Sequence, residues 1–423
     1  MSTFALLSLL VTLGALFSFL SFRVLRLPTS IGTMILTLGA SAALVLGGGH
    51  VPGLHAAAQR IVGGIDFNAV VLHGMLALLL FAGALQLDLQ QLAREKLSVT
   101  VLSIGSTALS TVLVAVVFGF GLRAIGIPIS VMGALLFGAL ISPTDPIAVL
   151  EMLQRVGASR SLSTQLAGES LFNDGVGAVI FLALLSASSG GAAPSVKGFL
   201  VMLTLKAGGG ILLGAGLGYV TYRLLCQVDQ YRVELLLTLA LAMGGYALAD
   251  ALKLSAPLEV ITAGMLVSGR AKHFAMSENT RGHFERFWEV VDDMFNVVLF
   301  LLLGLQLLVL PIDRRYVVAG LLAIPAVLLA RWVSVALPVG ILNLFHERVP
   351  GTVAVLTWGG LRGGLAVALA LSVPHGQGLE RNTLLVATYV VVVFSILVQG
   401  LTISPLLRRL KLTSTHRSMA HQT

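Results

Sequence analysis

The chain of 423 residues is 57% hydrophobic and only 11% charged, and its formal net charge at pH 7 is +8. Because a soluble domain has about 25% charged residues, this composition excludes a water-soluble globular protein and predicts one whose apolar side chains face lipid. The basic excess does not indicate nucleic-acid binding, since Lys and Arg of membrane proteins concentrate in cytoplasmic loops. The single cysteine, Cys226, excludes an internal disulfide framework and a cysteine metal cluster.

Thirteen apolar runs follow one another along the chain, each near the roughly 20 residues that a membrane-spanning helix needs. The first, Phe4 to Phe22, has neither a basic n-region nor a small-residue cleavage site, so we expect it to stay in the membrane as a helix. The sequence therefore predicts an all-α polytopic membrane protein. Its predicted spans are 4–22, 31–48, 68–87, 98–122, 129–153, 161–187, 198–224, 234–252, 256–270, 293–311, 316–344, 352–373 and 383–407.

The connections between these spans are short, which leaves no room for a separate soluble domain. We therefore expect residues 1–410 to form a single membrane domain and residues 411–423 to form a short cytoplasmic tail. With thirteen spans, 17 of the 27 Lys and Arg residues fall on one side of the membrane, 7 on the other and 3 inside spans. The side richer in positive charge is the cytoplasmic one, which predicts a cytoplasmic C-terminus and an external N-terminus.

Two spans carry residues that interrupt a helix. Span 5 contains Ser142-Pro143-Thr144-Asp145-Pro146. Each proline lacks a backbone donor and pushes the preceding residue out of the helical region, so the helix is predicted to open at Thr144 and Asp145. Span 12 contains Gly359-Gly360-Leu361-Arg362-Gly363-Gly364, in which four glycines around an arginine weaken the helix.

The two interrupted spans lie seven spans apart, which fits two six-span repeats, spans 1–6 and 8–13, related by inverted topology. Discontinuous helices in corresponding positions of two such repeats are typical of the binding site of a secondary transporter. Ordinary kinks are the alternative, because Pro and Gly are common in transmembrane helices. The charged residue at each break favours a functional site, since charge within a membrane is costly.

Span 6 contains Gly168-Glu169-Ser170-Leu171-Phe172-Asn173-Asp174-Gly175. Ser170 and Asp174 are four residues apart and share a helix face. Glu169 and Asn173 share the neighbouring face, about 100° away. The segment therefore presents a hydroxyl and a carboxylate on one face, and a carboxylate and an amide on the other.

This set of oxygen atoms suits a hard cation such as sodium, which prefers oxygen ligands. The predicted ligands are Asp174, Asp145, the Ser170 hydroxyl and the backbone carbonyls that the break exposes at Thr144. An acid buried beside a second acid also binds protons more readily. We therefore expect a cation and a proton to compete for the same carboxylate.

The arginines within the spans need partners or a route to water. Glu169 is predicted to pair with Arg362, because a buried arginine without a carboxylate is costly. Arg331 also needs a partner, unless its side chain extends to the membrane surface and reaches water there. Asp292 and Asp293 are predicted to start the helix of span 10, with a place in an ion funnel as a further option.

The three motifs together resemble the NhaP-type sodium/proton antiporters of the cation:proton antiporter-1 family, which includes the animal sodium/proton exchangers. The resemblance covers nearly the whole chain, and the motifs occur in the expected order. It implies a homodimer in the inner (plasma) membrane, each protomer being a single transport domain with interleaved core and dimerisation subdomains. It implies secondary-active exchange of Na⁺ and Li⁺ for protons, without catalytic residues or a cofactor.

Motif by motif, the resemblance implies that Asp174 is the central carrier of the cation and the proton. Asp145, Ser170 and the Thr144 backbone would complete the sodium site. Asn173 stands where electrogenic relatives have a second aspartate, which implies electroneutral exchange.

The same carry-over assigns structural roles to three charged residues. Glu169 and Arg362 would form the ion pair of the core, and Arg331 would be a second structural arginine. One position departs from the family pattern, because some members carry an acid in span 3 where this chain has Ala82 in Phe81-Ala82-Gly83-Ala84. This departure leaves the number of ligands and the choice of ion open.

Four other functions are alternatives to this one. A K⁺/H⁺ antiporter of the same fold stays open, since the sequence does not distinguish Na⁺ from K⁺. A cation channel is disfavoured, because channels use rings of carbonyls or charges around a continuous pore. An intramembrane aspartyl protease also uses two buried aspartates, but Asp174 follows Asn173 and lacks the Gly-X-Gly-Asp setting of that class. No Gly-X4-Gly-Lys-Ser/Thr loop indicates a nucleotide-driven pump.

Overall fold

The computed structural model describes residues 3–27, 29–47, 52–67, 69–146, 149–150, 152–153, 160–189, 196–271, 277–342, 351–374 and 378–410. The predicted tail, 411–423, lies outside these residues. The described helices are α1 Thr3–Leu20, α2 Thr29–Leu46, α3 Pro52–Gly63, α4 Leu76–Gln86, α5 Leu89–Arg94, α6 Lys96–Thr100, α7 Thr107–Ala124, α8 Val131–Ile141, α9 Arg160–Ser189, α10 Val196–Leu225, α11 Tyr231–Ala251, α12 Ala256–Leu266, α13 Glu278–Gln306, α14 Arg314–Leu342, α15 Thr352–Trp358, α16 Gly364–Leu371, α17 Gly378–Phe394 and α18 Gly400–Arg409. Short π-helical segments extend several of them, at Ser21–Leu25, Ala69–Met75, Val101–Ser106, Val267–Ala271 and Ser395–Gln399.

The predicted all-α membrane class is confirmed. Nine helices of the described chain are long and apolar enough to cross a bilayer. Large apolar side chains such as Phe4, Phe19 and Leu212 are 81%, 62% and 75% exposed, which suits contact with lipid. Shorter or more polar helices occupy the remaining predicted spans, so the count of thirteen and the inverted repeat stay predictions.

Helix α13 differs from its prediction. It begins at Glu278, where the Ser277 hydroxyl accepts a hydrogen bond from the backbone N–H of Thr280, and not at residue 293. The prediction that Asp292 and Asp293 start this helix is therefore wrong. The apolar run starts only near residue 293, whereas the helix begins earlier, at the Ser277 cap, and its polar first half lines an open vestibule.

Both predicted interruptions are present. Helix α8 ends at Ile141, and Ser142 to Pro146 are not helical. Helices α15 and α16 are separated by 359–363, which are likewise not helical. The two breaks meet, since Asp145 and Leu361 form an isolated antiparallel backbone bridge in which the Asp145 N–H donates to the Leu361 carbonyl at 2.7 Å. The bridge gives the freed backbone groups partners that the helices no longer supply.

Helix α9 lies beside this crossing. It packs against α8, α12 and the π-helical segment Val101–Ser106, and it also contacts α4 and α16. Its position brings the Gly168–Gly175 segment next to both breaks. The sequence features predicted to be functional therefore lie together in the middle of the helix bundle.

Candidate functional site

Two side chains of α9 hold the Thr144 break in place. Asn173 Oδ1 accepts from the Thr144 backbone N–H at 3.1 Å, and Asn173 Nδ2 donates to the Thr144 hydroxyl at 2.8 Å. The Ser170 hydroxyl donates to the Thr144 carbonyl. Ser170 and Asn173 lie one turn apart on α9, so both reach the same residue. Thr144 thus exchanges its lost helical hydrogen bonds for three bonds to side chains.

The second break contributes a positively charged side chain, that of Arg362, to the first break. The Arg362 guanidinium donates to the carbonyls of Ser142 and of Pro143, the latter at 2.9 Å. Its backbone N–H donates to the Ser395 hydroxyl at 3.0 Å. Arg362 is 2% exposed; the two carbonyl oxygens replace water at Nη1, whereas Nη2 has no hydrogen-bond partner among the described residues. The arginine therefore stabilises the carbonyl end of α8, where cations are favoured.

The predicted ion pair between Glu169 and Arg362 is wrong. Glu169 pairs with Arg331 through two bonds, from Nη1 at 2.6 Å and from Nη2 at 3.0 Å. Arg331 also donates to the Leu356 carbonyl. Arg331 is 2% exposed, so its side chain does not extend to the membrane surface. Arg362 lies within a break and binds the carbonyls freed there, which leaves the arginine of the unbroken helix α14 to neutralise Glu169.

Asp145 and Asp174 both line a cavity of about 290 Å³ beside the crossing. Each is partly exposed to this cavity while Thr144 and Ser170, which also line it, are buried. Within the described chain no hydrogen bond is donated to the Asp174 carboxylate, and that carboxylate is therefore open to a proton or a cation from the cavity. The structure brings the four predicted ligands together around one space.

Two glycines of the second break leave room for charged side chains. A methyl group on Gly363 would lie 2.6 Å from Asp145 Oδ2, and one on Gly360 would lie 2.8 Å from Arg331 Nε. Both distances are shorter than a normal contact between carbon and these atoms. The glycines predicted only to weaken the helix therefore also position the Asp145 carboxylate and the Arg331 guanidinium.

Two residues that sequence reasoning did not assign to the site lie on helix α13. Asp292 and Asn296 also line the cavity, and Asn296 Nδ2 donates to Asp292 Oδ1 at 3.0 Å. Gln86 Nε2 of α4 donates to the other oxygen of Asp292, also at 3.0 Å. The four-residue spacing of Asp292 and Asn296 is visible in the sequence. It indicates a shared helix face only if residue 292 lies inside the helix, which it does because α13 begins at Glu278.

A larger vestibule of about 1160 Å³ adjoins the cavity. The two spaces share Gln86, Leu87 and Asp88 as lining residues. The vestibule is also lined by Arg281, Glu285 and Glu289 of α13, so that with Asp88 its acids outnumber the one basic residue of the described lining. The cavity therefore communicates with one side of the protein through an acidic approach.

Among the described residues, no group of three or more His, Cys, Asp or Glu side chains converges to hold a metal ion. The aspartates of the cavity are therefore spread around a space and do not form a tight cage. Such an arrangement suits a cation that is bound and released.

Comparison with known proteins decides the family. The sodium/hydrogen exchanger transmembrane family model matches residues 6–409. The chain belongs to this family. It is therefore a secondary transporter and a multi-pass membrane protein, not an enzyme, and the predicted resemblance is confirmed.

Individual relatives agree with this assignment. The chain is 41% identical over 406 residues to the Na⁺/H⁺ antiporter NhaP of Pseudomonas aeruginosa, a match that covers 95% of each chain. It is 32% identical over 397 residues to the Na⁺/H⁺ antiporter NhaH of Halobacillus aidingensis, covering 92% of this chain and 94% of the relative. The fold matches the sodium proton antiporter MjNhaP1 of Methanocaldococcus jannaschii with a TM-score of 0.75 over 96% of this chain and 97% of that one, at 19% identity.

Proposed function

We propose that this exchanger moves Na⁺, and also Li⁺, in one direction and a proton in the other, and that the two compete for the Asp174 carboxylate. The observation that carries the proposal is the cavity shared by Asp174 and Asp145 at the crossing of two broken helices. Relatives that cover the chain almost completely are named Na⁺/H⁺ antiporters.

The proposed ligands are oxygens of four residues: Asp174, Asp145, the Ser170 hydroxyl and the Thr144 carbonyl. The Ser170 hydroxyl donates its hydrogen to the Thr144 carbonyl, so its oxygen keeps lone pairs that are free to bind a cation. When Asp174 takes up a proton, the site loses a negative charge and holds the cation less well. Proton binding on one side and cation binding on the other then drive opposite steps of the cycle.

We propose electroneutral exchange, which the charges of the neighbouring α9 side chains support. Glu169 is neutralised by Arg331, and Asn173 is uncharged and occupied with Thr144. Neither side chain offers a second exchangeable proton. One cation replaces one proton, and net charge does not cross the membrane.

We further propose a homodimer in the plasma membrane with the N-terminus outside and the C-terminus in the cytoplasm. Each protomer would be one transport domain in which core and dimerisation subdomains interleave, and exchange would need no cofactor because the opposing ion gradient drives it. In this orientation the vestibule opens to the cytoplasm, since the helix that lines it begins in a loop placed on the basic side.

The test uses purified protein in proteoliposomes with an imposed pH gradient and a pH-sensitive dye. Addition of Na⁺ or Li⁺ should dissipate the gradient, and Asp174→Ala should abolish this response. Asp293→Asn serves as the matched control, because this exposed acid of α13 does not line the cavity. Exchange retained by Asp174→Ala would overturn the site, and exchange with K⁺ in place of Na⁺ would replace the proposed cargo.

A further inference from the structure

Asn296 has a buried oxygen without a partner. The residue is 4% exposed, and its Oδ1 makes no hydrogen bond. Its amide nitrogen is already used, since Nδ2 donates to Asp292 at 3.0 Å. A buried acceptor without a donor is costly, and a bound cation would remove this cost. Asn296 lines the cavity, so its amide lies beside the space that such a ligand would enter.

Asp292 supplies a negative charge to the same place. Gln86 and Asn296 each donate to one of its carboxylate oxygens, which fixes the plane of the carboxylate. Neither donor carries a positive charge, so the negative charge of Asp292 is not neutralised by them. A carboxylate oxygen and an amide oxygen one turn apart on α13 form a pair of hard ligands.

The position of this pair is between the vestibule and the predicted ligands. Along one face of α13 the residues at helical spacing are Glu285, Glu289, Asp292, Asn296 and Leu299. The first two line the vestibule, and the last three line the cavity. An ion that moves from the vestibule to Asp174 passes this face of α13.

The electrostatics of the cavity favour a cation at this point. Its described lining includes four aspartates, Asp88, Asp145, Asp174 and Asp292, and no Lys or Arg. Asp292 does not converge with Asp145 and Asp174 on a single metal position in the described chain. It therefore provides a separate position along the path and not an additional ligand for the first site.

We propose that Asp292 and Asn296 form an access site, a second cation-binding position at which Na⁺ exchanges part of its water shell for protein oxygens before it reaches Asp174. Gln86 is the positioning residue of this site. The proposal rests on the proposed function, because it concerns the path of the same cation. It predicts that the pair sets the affinity for the cation on the vestibule side and not the rate of the exchange step.

The experiment measures initial exchange rates in proteoliposomes as a function of the Na⁺ concentration on the vestibule side. Asp292→Asn keeps an acceptor for Gln86 but removes the charge, so the KM for Na⁺ should rise by about tenfold with Vmax within about twofold. Asn296→Leu should raise the KM as well, since it removes the amide oxygen. Asp293→Asn removes the same charge one residue away, outside the cavity, and should leave KM unchanged.

A swapped variant separates a binding role from a structural one. Asp292→Asn combined with Asn296→Asp keeps one carboxylate and one amide at the site, and should restore the KM to within about threefold of the original. An unchanged KM in Asp292→Asn, or a swap that stays defective although the protein is monodisperse, would overturn the access site. Absence of exchange in the unmodified protein would instead overturn the proposed function.

Discussion

Glu169 and Arg331 form a two-bond ion pair in the centre of the bundle, and both side chains are almost completely buried. The pair joins α9, which carries Asp174, to α14, and Arg331 continues the link to the Leu356 carbonyl of α15. Because Leu356 precedes the second break, this chain of bonds connects the helix of the proposed carrier to one end of the crossing. We therefore expect the pair to hold the site in shape.

The first prediction concerns this pair. Glu169→Gln or Arg331→Met should each lower the free energy of unfolding by about 3–5 kcal/mol, since one buried charge is left without its partner. The double variant should be less destabilised than the sum of the two changes. Thermal unfolding in detergent, followed by the monodisperse fraction, provides the measurement.

Arg362 supplies the control for this comparison of single and double variants. It binds the Ser142 and Pro143 carbonyls and makes no bond to Glu169 within the described residues. The coupling between Glu169→Gln and Arg362→Met should therefore be small beside that between Glu169→Gln and Arg331→Met. A larger coupling with Arg362 would restore the pairing that the sequence predicted.

The second prediction separates two glycines of the same motif. Gly363→Ala places a methyl group against the Asp145 carboxylate, and should reduce the apparent affinity for Na⁺ by at least about tenfold while the protein stays folded. Gly360→Ala places it against Arg331, and should lower the melting temperature instead. Gly216→Ala is the control, because no atom lies within 4 Å of the added methyl group. Loss of stability in Gly363→Ala with normal affinity would contradict this assignment.

These residues also show what the sequence can and cannot predict. The breaks at Thr144 and Leu361 were predictable, because proline and glycine act on the backbone locally. The arginine that pairs with Glu169 was not predictable, because the pairing depends on where α14 lies relative to α9. The prediction paired Glu169 with Arg362 because a buried arginine needs a carboxylate and Glu169 lies off the Ser170 and Asp174 face, whereas the fold uses Arg362 to bind carbonyls.

The polar half of α13 was missed for a related reason. Residues 278–292 carry too many charges to be read as membrane-embedded, and hydropathy therefore started the span at residue 293. In the fold three of these charged residues, Arg281, Glu285 and Glu289, border the vestibule and not lipid. Ser277 gives a local signal for the true start, since serine is favoured at the N-cap of a helix.

The third prediction concerns stoichiometry. Exchange by the unmodified protein should proceed at the same rate with and without a membrane potential, set by valinomycin and a K⁺ gradient. Asn173→Asp should also lower thermal stability. The new carboxylate has no N–H to donate to the Thr144 hydroxyl. It would also face the carboxylate of Glu169, whose Oε1 lies 3.5 Å from Asn173 Nδ2. Rates that follow the imposed potential would contradict electroneutral exchange.

The fourth prediction tests orientation with the only cysteine of the chain. Cys226 is exposed at the end of α10. Asp229, three residues later, accepts a hydrogen bond at 3.0 Å from Ser277, which caps the start of α13. Cys226 therefore lies on the side of the membrane from which the vestibule-lining half of α13 begins. A membrane-impermeant maleimide should label it in inside-out vesicles and not in right-side-out vesicles.

Two variants make this labelling decisive. Cys226→Ser should remove the signal from both kinds of vesicle. Arg314→Cys in that background places an exposed thiol at the start of α14, on the side predicted to be external, and should reverse the pattern. Labelling of Cys226 from the outside, with Arg314→Cys labelled from the inside, would invert the topology. The vestibule and its acids would then receive ions from the external medium. Cys226 and the start of α13 lie on the same side, because Asp229 accepts a hydrogen bond from Ser277.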